Sequence, residues 1–181
     1  GLSHDAAVEP ITIEALDNVV GIDGQGQMRG LLALNGDGRV FAWGSSLGSG
    51  SGVGSDVLQP ELVQGLVGIE EVFSGPFGSC TRDIGGEVSC WGRPQGSKGL
   101  NPVAFFPQKI PELQKARAIA LFGEVWAPHN SGCAVSKDGE LLCWGCLPWE
   151  DGEECEAFLE YEMRTIQAPE PLASLSVKTV A

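Results

Sequence analysis

The feature that most constrains the fold of this chain is a segment that occurs three times and ends each time in Trp-Gly. The copies align without gaps at residues 31–44, 79–92 and 132–145, and their tryptophans are 48 and 53 residues apart. A period of this length is typical of repeat architectures, in which each copy forms one small unit that packs on the next. The signature residues are Trp43, Gly44, Trp91, Gly92, Trp144 and Gly145.

Each copy is predicted to form a β-hairpin. In the third copy, Lys137-Asp138-Gly139 separates two strand-like segments, 133–136 and 140–143. A three-residue loop of this kind suits a type I turn followed by a residue with positive φ, where glycine carries no steric penalty. The other two copies have residues 36–38 and 84–86 at the same place, and both loops end in glycine.

An apolar segment precedes every hairpin, and a segment rich in Gly, Ser and Pro follows the first two. The preceding segments are 16–22, 66–73 and 113–121, and 177–181 begins a fourth. A proline precedes each of these segments, and we expect it outside the strand ladder because proline lacks a backbone N–H. These prolines are Pro10, Pro60, Pro107 or Pro111, and Pro169 or Pro171. One strand, a hairpin and a return strand in every repeat describe a four-stranded blade of a β-propeller.

We therefore predict an all-β fold of three four-stranded antiparallel propeller blades plus the first strand of a fourth, which is an incomplete ring. The 26 glycines and 11 prolines agree with this prediction, because many short strands need many turns. The predicted divisions are an N-terminal tail at 1–9, blade 1 at 10–59, blade 2 at 60–106, blade 3 at 107–167 with an acidic insertion at 146–162, and the first strand of a further blade at 168–181.

The repeat resembles a known family. The pattern Gly-x-Val-x-x-Trp-Gly in residues 38–44, the glycine-rich segment 48–54 and the repeat period are similar to those of the regulator of chromosome condensation repeats. The resemblance covers about residues 10–181 and implies propeller blades, while a shared fold does not imply a shared function. That family builds seven blades, so the resemblance implies either a piece of a longer protein or a ring closed with other chains. We favour a piece of a longer protein.

Four of the six cysteines lie symmetrically about two hairpin turns, as the pairs Cys80–Cys90 and Cys133–Cys143. Residues directly opposite on adjacent strands have Cβ atoms ~4.5–5.5 Å apart, so slight closing of the strands would allow a disulfide in each pair. The first repeat has Leu32 and Ala42 at these positions. Both cysteines are therefore absent together, as expected for residues that act as a bonded pair.

The two remaining cysteines, Cys146 and Cys155, bracket part of the acidic insertion. A disulfide between them would reduce the entropy of that loop in the unfolded chain, by up to ~3 kcal/mol on the chain-entropy model. Three disulfides, each formed within a single repeat, are one of several possible pairings of the six cysteines. They predict an oxidising compartment, which is the extracellular space, the cell surface or a periplasm.

Other chemical interpretations of these segments are weaker. Cys143-Trp144-Gly145-Cys146 matches the redox pattern Cys-x-x-Cys, but its Trp-Gly is the repeat signature and Cys143 already has a hairpin partner. Zinc could be bound by Cys133, Cys143, Cys146 and Cys155, yet the second repeat keeps its cysteine pair without the other two. The acidic insertion could bind calcium but lacks regular ligand spacing. We expect no metal, no cofactor and no catalytic group.

The formal net charge of −13, with 11 scattered Lys and Arg residues, argues against a nucleic-acid partner. An acidic surface keeps a protein soluble and steers basic partners towards it. No apolar stretch approaches the ~18 residues that a membrane helix needs. Trp126 and Trp149 break the repeat and, with His129, are candidates for contact with a partner because tryptophan is frequent in interface hot spots.

From these features we predict a non-catalytic binding module, secreted or exposed on the cell surface, that holds a protein or glycan partner as part of a larger propeller or assembly. The alternative is a regulatory or inhibitory propeller domain that acts on an enzyme.

Overall fold

The computed structural model describes residues 12–25, 30–44, 57–76, 78–92, 104–122, 131–144 and 164–166. In these ranges twelve strands form three separate four-stranded antiparallel sheets, each with its strands side by side in chain order. The predicted all-β fold of propeller blades is confirmed. The segment 168–181, predicted to begin a further blade, lies outside the described residues.

The strand bounds are as follows. Blade 1 contains β1 (Val19–Gln25), β2 (Gly30–Asn35), β3 (Val40–Gly44) and β4 (Val57–Leu62). Blade 2 contains β5 (Ile69–Gly75), β6 (Gly78–Asp83), β7 (Val88–Gly92) and β8 (Ala104–Lys109). Blade 3 contains β9 (Ala118–Phe122), β10 (Ser131–Val135), β11 (Leu141–Trp144) and β12 (Arg164–Ile166).

The central hairpin of every blade has the turn that the repeat predicts. The glycine at the end of each three-residue loop has positive φ, from 74° at Gly38 to 89° at Gly139. The residue before each loop also stabilises it, because its side-chain oxygen accepts hydrogen bonds from the amide of the middle loop residue and from the amide of the residue just after the loop. Asp83 Oδ1, for example, accepts from the backbone N of Gly85 and of Glu87, both at 2.8 Å. Asn35 and Ser136 bind the corresponding amides.

The fourth strand of blades 1 and 2 differs from expectation, because it contains the prolines that we expected outside the ladder. Pro60 lies in β4 and Pro107 in β8, so these strands end at Leu62 and Lys109, each three residues beyond the expected divisions at 59 and 106. Both strands lie at a sheet edge, and both pairings are irregular at the proline. A missing N–H costs little at such a place.

The same irregularity explains the glycine of the Trp-Gly signature. The register of β3 with β4 shifts between Ala42 and Gly44, and that of β7 with β8 shifts between Cys90 and Gly92. The signature glycines have φ of 99° and 105°, a backbone conformation that side-chain-bearing residues rarely adopt. The glycine is therefore required by a bulge in the outer strand pair.

The blades pack face to face in chain order. We call the sheet face turned towards the next blade in the chain the forward face, and the sheet face turned towards the preceding blade the rear face. The forward face of blade 1 forms one buried cluster with the rear face of blade 2, to which it contributes Leu32, Leu34, Val40 and Ala42 while blade 2 contributes Ile69 and Trp91. The forward face of blade 2 does the same with the rear face of blade 3, through Cys80, Val88 and Cys90 on one side and Ile119, Ala134 and Trp144 on the other.

The turn that leads into each blade also contacts the preceding hairpin. The backbone N of Ile69 donates to the Gly38 oxygen at 3.1 Å, and the backbone N of Lys115 donates to the Gly86 oxygen. A Cβ added at Gly38 would lie 3.0 Å from both Gly68 Cα and Ile69 N. These backbone contacts fix the distance between neighbouring blades at this end of the sheets.

Replacement of Trp91 by Ala should lower the free energy of unfolding by ~3–5 kcal/mol, the range for deletion of a large buried aromatic side chain. Trp91 is 2% exposed, whereas Trp43, its counterpart in blade 1, is partly exposed. Trp43→Ala is therefore the matched control and should cost less. Urea denaturation followed by circular dichroism measures both, and equal losses would contradict the packing of Trp91 between two blades.

Gly38→Ala should destabilise the protein more than Gly139→Ala. Both substitutions place a side chain at positive φ, at a cost of ~1–2 kcal/mol. A Cβ at Gly38 would also meet the backbone of blade 2, while one at Gly139 has no atom within 4 Å. The same denaturation measurement compares the two variants, and a larger loss for Gly139→Ala would show that the blade contact has no energetic role.

Candidate binding surface

The antiparallel sheets give the molecule two unlike ends. One is the hairpin end, which carries the three-residue turns 36–38, 84–86 and 137–139 and the turns that lead into β5 and β9. The other is the loop end, where the first and third strand of every blade finish. The connections that leave the strands at the loop end include the long ones, at 45–56, 93–103 and 145–163.

The sequence-predicted contact residues fall on connections that leave from the loop end. Trp126 and His129 follow β9 and precede β10, and Trp149 follows β11. These three residues lie outside the described residues, as do Gly145, Cys146, Cys155 and the acidic insertion. The strand ends that flank the two connections lie at the same end of blade 3, and the contact role of these side chains stays a prediction.

The two hairpin cysteine pairs are disulfides in the structure. Cys80 is directly opposite Cys90, and Cys133 is directly opposite Cys143, with Cα atoms 4.0 and 4.1 Å apart. Hydrogen bonds from Asp83 to Glu87 and from Ser136 to Glu140 close the two turns. Hydrogen-bonded and non-hydrogen-bonded residue pairs alternate from there along each hairpin, so both cysteine pairs are non-hydrogen-bonded pairs, in which antiparallel strands approach most closely. Cys133 and Cys143 are therefore bonded to each other.

Both disulfides lie on the forward faces of their blades. Cys80 and Cys90 are buried against blade 3, in the cluster that contains Trp144. Their counterparts in blade 1, Leu32 and Ala42, occupy the same place against Trp91. The disulfide thus replaces an apolar pair at a blade interface, and its sulfur atoms are shielded from solvent.

Two polar contacts between blades have no counterpart in the sequence-based predictions. The Asp23 carboxylate in β1 accepts a hydrogen bond from the backbone N of Ser74 in β5, at 2.8 Å. The Arg82 guanidinium in β6 pairs with Glu71 at 2.7 Å and donates to the Ala116 oxygen before β9, at 3.0 Å. Each of these side chains joins its own blade to the next one, and neither residue type recurs at the corresponding positions of the other repeats.

Charges of both signs are interspersed at the hairpin end. Glu87 and Lys109 form an exposed ion pair at 2.8 Å, and Lys137 pairs with Asp138. The hydrogen bond from Lys109 to Glu87, with the attraction between the two charges, raises the pKa of Lys109 above its ordinary value. Two apolar side chains are nevertheless exposed there, Val67 at 83% and Ile84 at 81%.

Within the described part of the chain, no group of three or more His, Cys, Asp or Glu side chains is arranged to hold a metal ion. A search of the same residues finds no helix with the length and apolarity to cross a membrane.

Comparisons with solved structures agree with the propeller fold. The chain is similar to yeast RCC1 (Prp20) in its complex with Kap60, with a TM-score of 0.56 and 19% sequence identity over 72% of this chain and 32% of that one. It is also similar to Prp20p from Saccharomyces cerevisiae, in a structure reported with the binding of that protein to Gsp1p and histones. There the TM-score is 0.53 and the identity 20%, over 72% of this chain and 34% of that one.

A third similar structure is human WBSCR16, with a TM-score of 0.58 and 18% identity over 80% of this chain and 37% of that one. The chain thus spans about a third of the length of each of these proteins. No family model matches the sequence. The TM-scores above 0.5 show a fold of the regulator of chromosome condensation type, and identities of this size leave the function to be argued from the chain itself.

Peptide mapping of the non-reduced protein should recover three disulfide-linked peptide pairs: Cys80–Cys90, Cys133–Cys143 and, in the insertion, Cys146–Cys155. The first two are expected because the strand register brings each pair into direct opposition. Alkylation before reduction would label any free thiol and serves as the control. Free thiols at Cys80 and Cys90 would contradict both the pairing and the oxidising compartment.

Proposed function

We propose that this chain is a non-catalytic binding module that functions outside the cytoplasm, secreted or on the cell surface, and holds a protein or glycan partner at its loop end. It works as part of a larger propeller or assembly. The observation that carries the proposal is the contrast between the two ends of the blades.

The hairpin end suits packing better than recognition. Its loops have three residues each, and the backbone N of the middle loop residue donates to the side chain of Asn35, Asp83 or Ser136. The carbonyl oxygens of Gly38 and Gly86 accept hydrogen bonds from the next blade. The long connections leave from the loop end and differ in length from blade to blade, while the sheets that carry them repeat. Variable connections on a rigid scaffold are the usual place for binding residues.

The charge of the chain favours a basic protein as the partner. With 24 acidic and 11 basic residues, the field around the molecule attracts positive charge and speeds association with it. The similar Prp20 structures involve protein partners, namely Kap60, Gsp1p and histones. They support a protein as the class of partner without identifying the one used here.

The disulfides support the proposed compartment. Two bonds lie inside regular sheets, between residues that the strand register already places opposite each other. Disulfides of this structural kind form and persist in oxidising surroundings and are rare in reducing cytosol. This chemistry supports the proposed compartment, and non-reducing peptide mapping of protein purified from its native source tests it.

The binding proposal is tested with two double variants. Trp126→Ala/Trp149→Ala removes the large aromatic side chains of the loop end, and Val67→Ala/Ile84→Ala removes the two exposed apolar side chains of the hairpin end. Each variant and the unmodified chain are cross-linked to protein from the extracellular fraction of the source organism, and the captured partners are quantified by mass spectrometry. We expect the loop-end variant to capture at least tenfold less of its specific partner than the unmodified chain does, since aromatic hot spots contribute ~2 kcal/mol or more.

The hairpin-end variant is the matched control and should retain the partner. Loss of capture with the hairpin-end variant alone would mean that the partner binds at the hairpin end, which contradicts the proposal. A captured enzyme whose activity changes on binding would favour the regulatory alternative.

A further inference from the structure

The two blade interfaces differ in chemistry in the half that lies towards the loop end. Between blades 1 and 2, the strand register places four polar residues there, which are Asp23 in β1, Ser74 in β5, and Ser79 and Thr81 in β6. Between blades 2 and 3, the corresponding positions hold Phe73, Leu121, Gly132 and Ala134. We call the four polar residues the polar corner. One interface is thus polar at a place where the other is not.

Strand pairing places the polar corner inside the interface. Ser74 and Ser79 are opposite each other on the rear face of blade 2, which contains Trp91, and Thr81 follows two residues later on the same face. Asp23 reaches them from blade 1, since its carboxylate accepts the hydrogen bond from the backbone N of Ser74. The three hydroxyl-bearing residues are buried. Asp23 is partly exposed, so the polar corner meets solvent at this residue.

The hydroxyl of Thr81 has no hydrogen-bond partner although the residue is 0% exposed. Burial of an unpaired hydroxyl costs free energy, because the group loses its hydrogen bonds to water and gains none in return. The corresponding residue of blade 3, Ala134, is also buried and carries no polar atom in its side chain. The closed interface between blades 1 and 2 therefore contains an unfavourable group, and entry of water at the polar corner would relieve it.

A second buried polar atom without a partner, the indole N of Trp144, lies in the interface between blades 2 and 3. Its surroundings differ, because the buried cluster that contains it consists of apolar side chains and the Cys80–Cys90 disulfide. Among the described residues, that cluster provides no polar side chain through which water could enter. Of the two interfaces, only that between blades 1 and 2 combines an unpaired hydroxyl with polar neighbours.

The hairpin end of the same interface is closed by apolar packing and by a backbone contact. Leu34, Val40 and Ile69 are buried there. The backbone N of Ile69 donates to the Gly38 oxygen at 3.1 Å, and a Cβ on Gly38 would lie 3.0 Å from the backbone of blade 2. Separation at this end would expose apolar side chains to water, whereas separation at the polar corner exposes groups that form hydrogen bonds with water.

We infer that the interface between blades 1 and 2 opens at the polar corner while its hairpin end stays closed, so that blade 1 moves as a hinged element at the loop end. Opening breaks the hydrogen bond from Ser74 to Asp23 and lets water reach the Thr81 hydroxyl. The open state is a minor population of the native ensemble, because the packing around Trp91 favours the closed state. This motion lies within the chain and does not depend on which partner the loop end binds.

Hydrogen exchange of two backbone amides on β5 tests the inference. Ser74 and Ile69 both donate across this interface, one towards each end. In the full 181-residue chain, NMR should show the Ser74 amide exchanging roughly tenfold faster than the Ile69 amide, or more, after division by the intrinsic rates of the two residues. Equal protection of both amides would show that this interface does not open at one end, which overturns the inference.

Thr81→Val distinguishes opening of the interface from the loss of one hydrogen bond. Valine has nearly the shape of threonine without the hydroxyl, so this variant removes the unpaired group from the closed state and its hydration from the open state. We expect the exchange of the Ser74 amide to slow roughly fivefold or more. Thr81→Ser keeps the hydroxyl and, as the matched control, should not slow this exchange. Circular dichroism checks that each variant is folded, and Thr81→Ala replaces Thr81→Val if that variant is not.

Two results with the variants would also overturn the inference. Unchanged exchange at Ser74 in Thr81→Val would mean that the Ser74 amide leaves Asp23 without opening of the interface. Equal slowing in Thr81→Val and Thr81→Ser would show that the hydroxyl is not what favours the open state. Neither result affects the partner bound at the loop end, which is measured with other variants.

Discussion

Packing of one sheet against the next is the interaction on which the rest of this structure depends. A four-stranded sheet has two faces, and blade 2 buries residues of both faces against its neighbours, so a blade of this kind needs a neighbour on each side. The tryptophans of the repeat are the largest fully buried side chains among the described residues: Trp91 packs in the cluster with the forward face of blade 1 and Trp144 in that with blade 2. The signature that identifies the repeat is therefore also what joins one repeat to the next.

The fold could be predicted because its determinants are local and occur three times. Hairpin register follows from the position of a three-residue loop, so the pairing of Cys80 with Cys90 and of Cys133 with Cys143 could be derived by counting from the turn. The return strand could be assigned from composition. A further local signal lies in the residues that stand before the loops, because Asn35, Asp83 and Ser136 are all of types whose side chains bind turn amides.

Other features could not be predicted from the sequence, because they depend on residues about fifty positions apart. Nothing local distinguishes Trp43 from Trp91, yet one is partly exposed and the other buried, since only the second has a preceding blade in the structure. The contacts of Asp23 and Arg82 with the next blade are not repeated, so the period gives no indication of them. The expectation was wrong for Pro60, because the rule that excludes proline from ladders does not hold at an irregular edge strand. Before blade 3, Pro107 lies in such a strand too, and Pro111 is the proline outside the ladder. For the candidate binding surface, strand direction shows at which end of blade 3 the strands before Trp126, His129 and Trp149 finish.

The positions of the two disulfides determine how the chain would respond to a protease. Each bond joins neighbouring strands of one hairpin, ten residues apart, and neither crosses from one blade to another. A cut at the tip of the second hairpin, between Cys80 and Cys90, leaves its two halves covalently linked and the sheet intact. A cut in the connection from β4 to β5, at residues 63–68, breaks the one covalent path between blades 1 and 2 among the described residues, so that the two blades are then held together only by the packing around Trp91 and by hydrogen bonds such as that of Asp23. Among the described residues, a cut between blades 1 and 2 therefore separates them covalently, whereas the disulfide-bonded hairpins of blades 2 and 3 stay joined after a cut in their turns.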